Sequence, residues 1–350
     1  MSKLISILSS TIILLMAIIT LGSFSVHYWI RAPLMLKHDQ LVVVNKGDSV
    51  SKLAYQLERQ GVLSSARLFT LYARITDKTK LDIGEYLLMQ GSSREQLLQL
   101  LQSGNVISYK VALIEGKTFK DFLHILHNTE KITPSLKGNT DYTGLLGQLN
   151  IEHPEGWFFP DTYQFTSGTI DRDILVQSHQ RMKKVLAEEW ANKAEDLPYQ
   201  SAYEALIMAS IIEKETGVAH ERGAIAGVFV RRLQKGMRLQ TDPTIIYGLG
   251  DSYKGNIRRK HLTQRTPYNT YMINGLPPTP IAMPGREAIH AALHPKAGKA
   301  LYFVAKGDGS HSFSASLREH NKAVSRYQIK RRSKNYQSSP SLNDSNNNKK

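Results

Sequence analysis

Glu213 and Glu215, in Ile211-Ile212-Glu213-Lys214-Glu215-Thr216, and the later segment Leu239-Gln240-Thr241-Asp242-Pro243-Thr244 are the residues of this chain best suited to chemistry. A carboxyl group that stays protonated near neutral pH can act as a general acid, and burial keeps it protonated by penalising the charge. Ser201 with Glu204 three residues on matches a capping box, and Gly217 offers a stop, so a helix of about fifteen residues is expected from Ala202. Met208, Ile211, Ile212 and Glu215 then fall near one face, and Glu215 extends an apolar stripe. Glu213 lies about 200° round the helix from it, so the two carboxylates do not share a role. On the helix alone, a plainer reading stands beside catalysis: both glutamates solubilise the exposed end of a buried helix. Asp242 precedes Pro243, which favours an extended or turn backbone and a side chain presented from a loop.

The elements around these residues are mixed. From Val106 to Ile329 short strands are expected to alternate with helices, forming two or more subdomains without a glycine-rich nucleotide loop. A helix over Asp173 to Trp190 would bury Ile174, Leu175, Met182, Val185 and Leu186. Between Glu155 and Phe165 stand Trp157, Phe158, Phe159, Tyr163 and Phe165, aromatics that either stack on sugar rings or fill a core. Arg231, Arg232 and Arg238 precede Gln240, and Pro277, Pro278, Pro280 and Pro284 fix a rigid, non-helical wall. His124 and His127 lie one turn apart with no third ligand nearby in sequence, so no metal is expected; His311 and His320 either contact substrate or sit on a strand edge.

Leu4 to Val26 contains no charged residue, and a helix of that length spans about 35 Å against a hydrocarbon core of about 30 Å. A transmembrane anchor is the expected reading, with a cleaved signal peptide as its rival. Lys3 before the span and Arg31 and Lys37 after it leave orientation open. The chain has no cysteine, which excludes disulfide and thiol chemistry. Its net charge of +15 suits an anionic membrane surface or an acidic polymer. No interleaved basic and aromatic motif supports nucleic acid. After the span, the strand-like Leu41 to Val44, a helix with Val50, Leu53, Ala54 and Leu57, a helix around Leu68 to Tyr72, the strand Gly84 to Leu88 and a helix capped by Ser92 and Glu95 make a small α+β module. The tail from Arg331 to Lys350, rich in Ser, Asn and Lys, is expected to be disordered.

Val44-Asn45-Lys46-Gly47-Asp48-Ser49-Val50-Ser51-Lys52-Leu53-Ala54 resembles the opening of LysM modules, which bind N-acetylglucosamine sugars; a spacer role is the alternative. Glu213-Lys214-Glu215-Thr216, Leu239 to Gly248, Tyr268-Asn269-Thr270-Tyr271 and Gly275-Leu276-Pro277-Pro278, in that order behind an anchor and a LysM-like module, resemble the YceG-like family of bacterial endolytic murein transglycosylases. The resemblance spans all but the tail. It implies an α+β chain with a cytoplasmic start and transmembrane anchor at 1–27, a LysM-like module at 38–106, a mixed α/β catalytic domain with its glutamate on a helix at 107–330, and the basic tail at 331–350. The implied activity is a lyase reaction without cofactor, cutting the MurNAc–GlcNAc β-1,4 bond within peptidoglycan strands to leave 1,6-anhydro-MurNAc ends and so limiting nascent strand length. The implied setting is the inner membrane, with the catalytic domain on the periplasmic side, beside peptidoglycan synthases.

By the same resemblance the catalytic residue is Glu215, since Glu215-Thr216 is similar to the Glu-Ser pair ending the catalytic helix of lysozyme-like transglycosylases; Glu213 is the fallback. Glu213, Gln240, Thr241, Asp242, Tyr247, Tyr268 and Asn269 are implied to line the substrate groove. Two other readings stay open: a non-catalytic peptidoglycan-binding scaffold, and a hydrolase using Glu215 with Asp242 as a second carboxylate.

Overall fold

The computed structural model describes residues 2–45 and 47–330; Lys46 of the LysM-like run and the expected basic tail lie outside the described residues. Helix α1 (Ser2–Arg31) is continuous, and its stretch Ile7–Arg31 is long and apolar enough to cross a membrane. Leu14, Met16, Leu21 and Phe24 are all largely exposed, so the protein itself does not cover this helix. That pattern suits a lipid environment or a signal segment.

The described residues within 1–109, together with 164–169, form one compact unit. Strand β1 (Gln40–Val44) leads through α2 (Val50–Arg59) and α3 (Ala66–Ile75) to β2 (Gly84–Leu88), and α4 (Arg94–Leu100) follows. The strands pair antiparallel, with Gln40 opposite Leu88 and Val44 opposite Gly84. Val42, Leu53, Leu57, Phe69, Tyr86, Leu97 and Leu98 close the core between sheet and helices. Ser49 caps α2 by accepting the Lys52 N–H. The box opening α4 is Ser93 with Gln96, one residue later than the sequence pattern suggests. Ser92 instead gives its carbonyl to the Leu34 N–H, and Glu95 turns to Arg31 at 3.4 Å. The guanidinium of Arg94 binds the carbonyls of Trp29 and Ala32, fixing the end of α1 on this unit.

The second unit holds the described residues of 110–163 and 170–330. Strand β3 (Ser108–Ala112) enters it, followed by α5 (Phe119–His127), α6 (Asn139–Leu149), β4 (Thr162–Thr166), α7 (Asp171–Ala191), α8 (Ala202–Glu215), α9 (Arg222–Gln234), α10 (Asp242–Leu249), α11 (Arg259–Thr263), α12 (Arg286–Leu293), β5 (Tyr302–Ala305), β6 (His311–Ser314) and α13 (Leu317–Val324). The expected alternation of strands and helices gives way to a helical body. Among the described residues the strands after β2 form only the two-stranded pairs β3–β4 and β5–β6, and the apolar runs in α8, α9 and α12 fold as helices. The predicted 173–190 helix is present within α7, with all five expected core residues buried. Of the aromatic cluster, Phe158, Phe159, Tyr163 and Phe165 are core, whereas Trp157 is partly exposed and stacks on Tyr203 at 5.5 Å.

Candidate active site

Helix α8 runs through the middle of the second unit. Every residue from Ala205 to Ile212 is buried, so the helix is apolar on all sides rather than along one stripe. It packs against α12, α9, α7 and α10. Ser201 accepts the Glu204 N–H at 3.3 Å, while the Glu204 carboxylate reaches back one residue further than a capping box, to the Gln200 N–H at 2.7 Å. At the other end the backbone turns extended at Thr216. Glu215 is therefore the last helical residue, delivered from a rigid apolar rod.

Glu215 opens onto a cleft of about 710 Å³, whose lining includes Gln240, Thr241, Asp242, Arg232 and Tyr271. Burial pushes its carboxyl up to about 7; the Thr241 hydroxyl and the Arg232 guanidinium pull against that rise, and the charge of Asp242 adds to it. The Thr241 hydroxyl donates directly to Glu215 Oε1. Thr241 is itself buried, and its N–H bonds Thr270 Oγ1 at 3.0 Å. The chain reaches that position through Gln240, a non-glycine residue with φ of 52°, whose N–H bonds the Thr270 carbonyl at 3.2 Å. Such a backbone costs about 1–3 kcal/mol and needs to be held. Arg232 holds it, with Nη1 donating to the Leu239 carbonyl at 2.7 Å and Nε to the Leu301 carbonyl at 2.7 Å.

Asp242 is exposed and opens α10 instead of standing in a loop, because Pro243 is well tolerated in the first turn of a helix. Its Oδ1 accepts the Tyr271 hydroxyl at 2.7 Å.

The cleft thus gathers Glu215, Gln240, Thr241 and Asp242 of the residues expected from sequence. Glu213 is not among its lining residues. Its Oε2 accepts the Gly285 N–H at 3.0 Å, Arg222 lies 4.0 Å away, and burial raises its carboxyl above the ordinary value while both partners oppose the rise. Tyr247, Tyr268 and Asn269 also stand outside the lining. Asn269 is buried, its amide bracing the carbonyls of His261 and Gln264 at 3.0 and 2.6 Å. Tyr247 packs edge-on to Tyr268 at 5.0 Å and donates to Glu155 Oε2 at 3.1 Å.

Glu155 carries a signal that its position in an aromatic run conceals. It is 4% exposed, accepts the Phe119 N–H at 2.9 Å, and burial pushes its carboxyl up to about 7. A metal-ligand trio also escapes a search by spacing. Glu189, His290 and His294 bring ligand atoms within 4.8 Å of one another, but Glu189 comes from α7 and already engages Arg286 and His290.

The model of the YceG-like family matches residues 42–326. The chain belongs to the YceG-like family. An endolytic murein transglycosylase of Bacillus subtilis (strain 168) is 32% identical over 302 residues, covering 81% of this chain and 83% of that protein. The endolytic murein transglycosylase of Streptococcus pneumoniae serotype 2 (strain D39) is 27% identical over 322 residues, covering 82% of this chain and 58% of that one. A crystal structure of a YceG-like protein from Listeria monocytogenes matches with a TM-score of 0.52 and 30% identity, over 82% of this chain and 99% of that one. The YceG-like match includes all of the cleft residues named above and begins after α1.

Proposed function

We propose that this YceG-like chain is a membrane-anchored endolytic lytic transglycosylase of peptidoglycan, with Glu215 as its single acid and base. The similarity to endolytic murein transglycosylases supplies the substrate. The observation that carries the mechanism is a carboxyl at the end of a helix buried from Ala205 to Ile212, open to a cleft, with its pKa pushed up to about 7. A group of that kind is substantially protonated at neutral pH.

The neutral Glu215 gives its proton to the glycosidic oxygen as the bond from C1 of MurNAc to that oxygen breaks. The C6 hydroxyl of the same sugar forms the new bond to C1. Its proton passes to the Glu215 carboxylate, which is thereby restored. No water enters, and the product is a 1,6-anhydro-MurNAc end. Thr241, donating to Oε1, steadies the carboxylate stage and leaves Oε2 for the reacting oxygens. Gln240 and Asp242 contact the sugars around that point, a role supported by their presence in the same lining as Glu215.

The apolar helix α1 serves as the anchor, with the catalytic unit on the extracytoplasmic side, where peptidoglycan lies. Held there, an enzyme that cuts within strands acts beside the synthases that extend them and limits strand length. The unit of β1, α2, α3 and β2 is a LysM-like module, supported by its β-α-α-β order and antiparallel strands.

A hydrolase using Asp242 is the one second reading with an observation behind it, since both carboxylates stand in the same cleft. The test is digestion of peptidoglycan by the full chain and by Glu215→Gln, with product ends identified by mass spectrometry. Anhydro ends that disappear in Glu215→Gln, while glycan binding persists, support the proposal; reducing ends replace it with the hydrolase, and cleavage that survives the substitution removes Glu215 from its role.

A further inference from the structure

The wall of the cleft formed by β5 and β6 carries a second polar group that the reaction above does not use. His311, at the start of β6, lines the same cleft as Glu215. One carboxylate holds it twice: Glu221 Oε1 accepts the His311 backbone N–H at 2.9 Å, and Glu221 Oε2 meets His311 Nδ1 at 2.7 Å. Both residues are 6% exposed. Phe303 packs edge-on to the imidazole at 5.5 Å, fixing its plane.

With Nδ1–H given to the carboxylate, a neutral imidazole presents the lone pair of Nε2. That atom has no hydrogen-bond partner among the described residues. The same lining includes His320, stacked on Tyr302 at 5.2 Å, with a buried and unpaired Nδ1. The buried Nδ1 of His320, left open on the same wall of the cleft, calls for a partner that the folded chain does not itself supply. Backbone pairing of Ala305 with His311 already sets the hairpin, so orienting the ring is the added consequence of the Glu221 contact.

We propose that His311 is a substrate-orienting residue, accepting through Nε2 a hydrogen bond from a hydroxyl of the bound glycan, and that Glu221 is its positioning residue. The proposal rests on the glycan-cleaving reading and adds a second contact to it. The carboxylate sets the tautomer. In Glu221→Gln the amide oxygen must keep facing the fixed backbone N–H of His311, so the NH₂ group faces Nδ1. The ring then carries its proton on Nε2 and offers the glycan a donor where an acceptor was required.

The test uses the full chain in detergent with peptidoglycan as substrate. His311→Leu is expected to lower kcat/KM about tenfold, the loss of one neutral hydrogen bond, while His311→Gln, whose amide oxygen reaches near the Nε2 position, stays within about threefold of wild type. Glu221→Gln is expected to lose about as much as His311→Leu, with the ¹⁵N imidazole resonances of His311 showing the inverted tautomer. Equal rates for His311→Leu and wild type, or equal losses in the Leu and Gln variants, would overturn the proposal. A wild-type chain that leaves peptidoglycan uncut would instead overturn the glycan-cleaving reading beneath it.

Discussion

Glu215 and Glu155 are two carboxyls pushed up to about 7 by burial, with different surroundings: the first faces a cleft, while the second is closed in by Phe119 and Tyr247. For Glu215 the consequence is kinetic. As the proposed acid it reacts in its protonated form, so kcat/KM on glycan fragments is expected to fall above about pH 7 by roughly tenfold per pH unit; a profile flat to about pH 9 would be incompatible with Glu215 as the acid. For Glu155 the consequence is stability. Its folded value lies above the ordinary carboxylate value of 4.5, so the folded state holds a proton that the unfolded chain releases first. Stability is complete below the unfolded value and declines as pH rises toward about 7, by on the order of 3 kcal/mol for one such group. Glu155→Gln, neutral at every pH, should gain melting temperature over wild type at pH 8 and little or none at pH 4; an equal change at both would contradict this. Glu215 was legible in the sequence because its neighbours at helical spacing are apolar. Glu155 was not, since its partners come from residues 119 and 247.

Local signals located the elements well. Ser201 and the apolar spacing of residues 50–57 and 173–190 report on neighbours within four positions, and α2, α7 and α8 begin and end close to where those signals fall. The all-round burial of α8 was less legible, because it depends on α7, α9 and α12 closing from different parts of the chain. One glycine shows how tightly the surrounding loops press. At Gly156, φ is +82° and an added Cβ would stand 2.4 Å from Pro280 Cγ, a ring that cannot swing away. Gly156→Ala combines a strained backbone with overpacking and is expected to cost about 2–5 kcal/mol, read as a lowered denaturation midpoint. A midpoint unchanged from wild type would show that the proline segment yields at that point. The segment carrying Pro277, Pro278, Pro280 and Pro284 is non-helical and meets α8, with the Ile281 N–H on Ser210 Oγ at 2.9 Å, and none of these prolines lines the cleft at Glu215.

At the scale of the whole molecule, the chain joins an apolar helix, a small β-α-α-β unit tied to that helix through Arg94, and a helical unit that carries the cleft. The sequence reads as an uncharged run, a short mixed module and a long remainder in which strands alternate with helices. It could not separate an anchor from a signal peptide, because both need only an apolar helix. Retention of α1 is expected in the mature protein, so the intact mass of the membrane fraction should include residues 2–31, with release by detergent and not by high salt; a mass beginning after the apolar run would identify a cleaved signal. In the mechanism proposed above one carboxyl, Glu215, cuts peptidoglycan without water. Mass spectrometry of the ends released by the full chain tests it most directly: 1,6-anhydro-MurNAc ends, absent with Glu215→Gln, are the predicted result, and reducing MurNAc ends, or anhydro ends undiminished in Glu215→Gln, would contradict it.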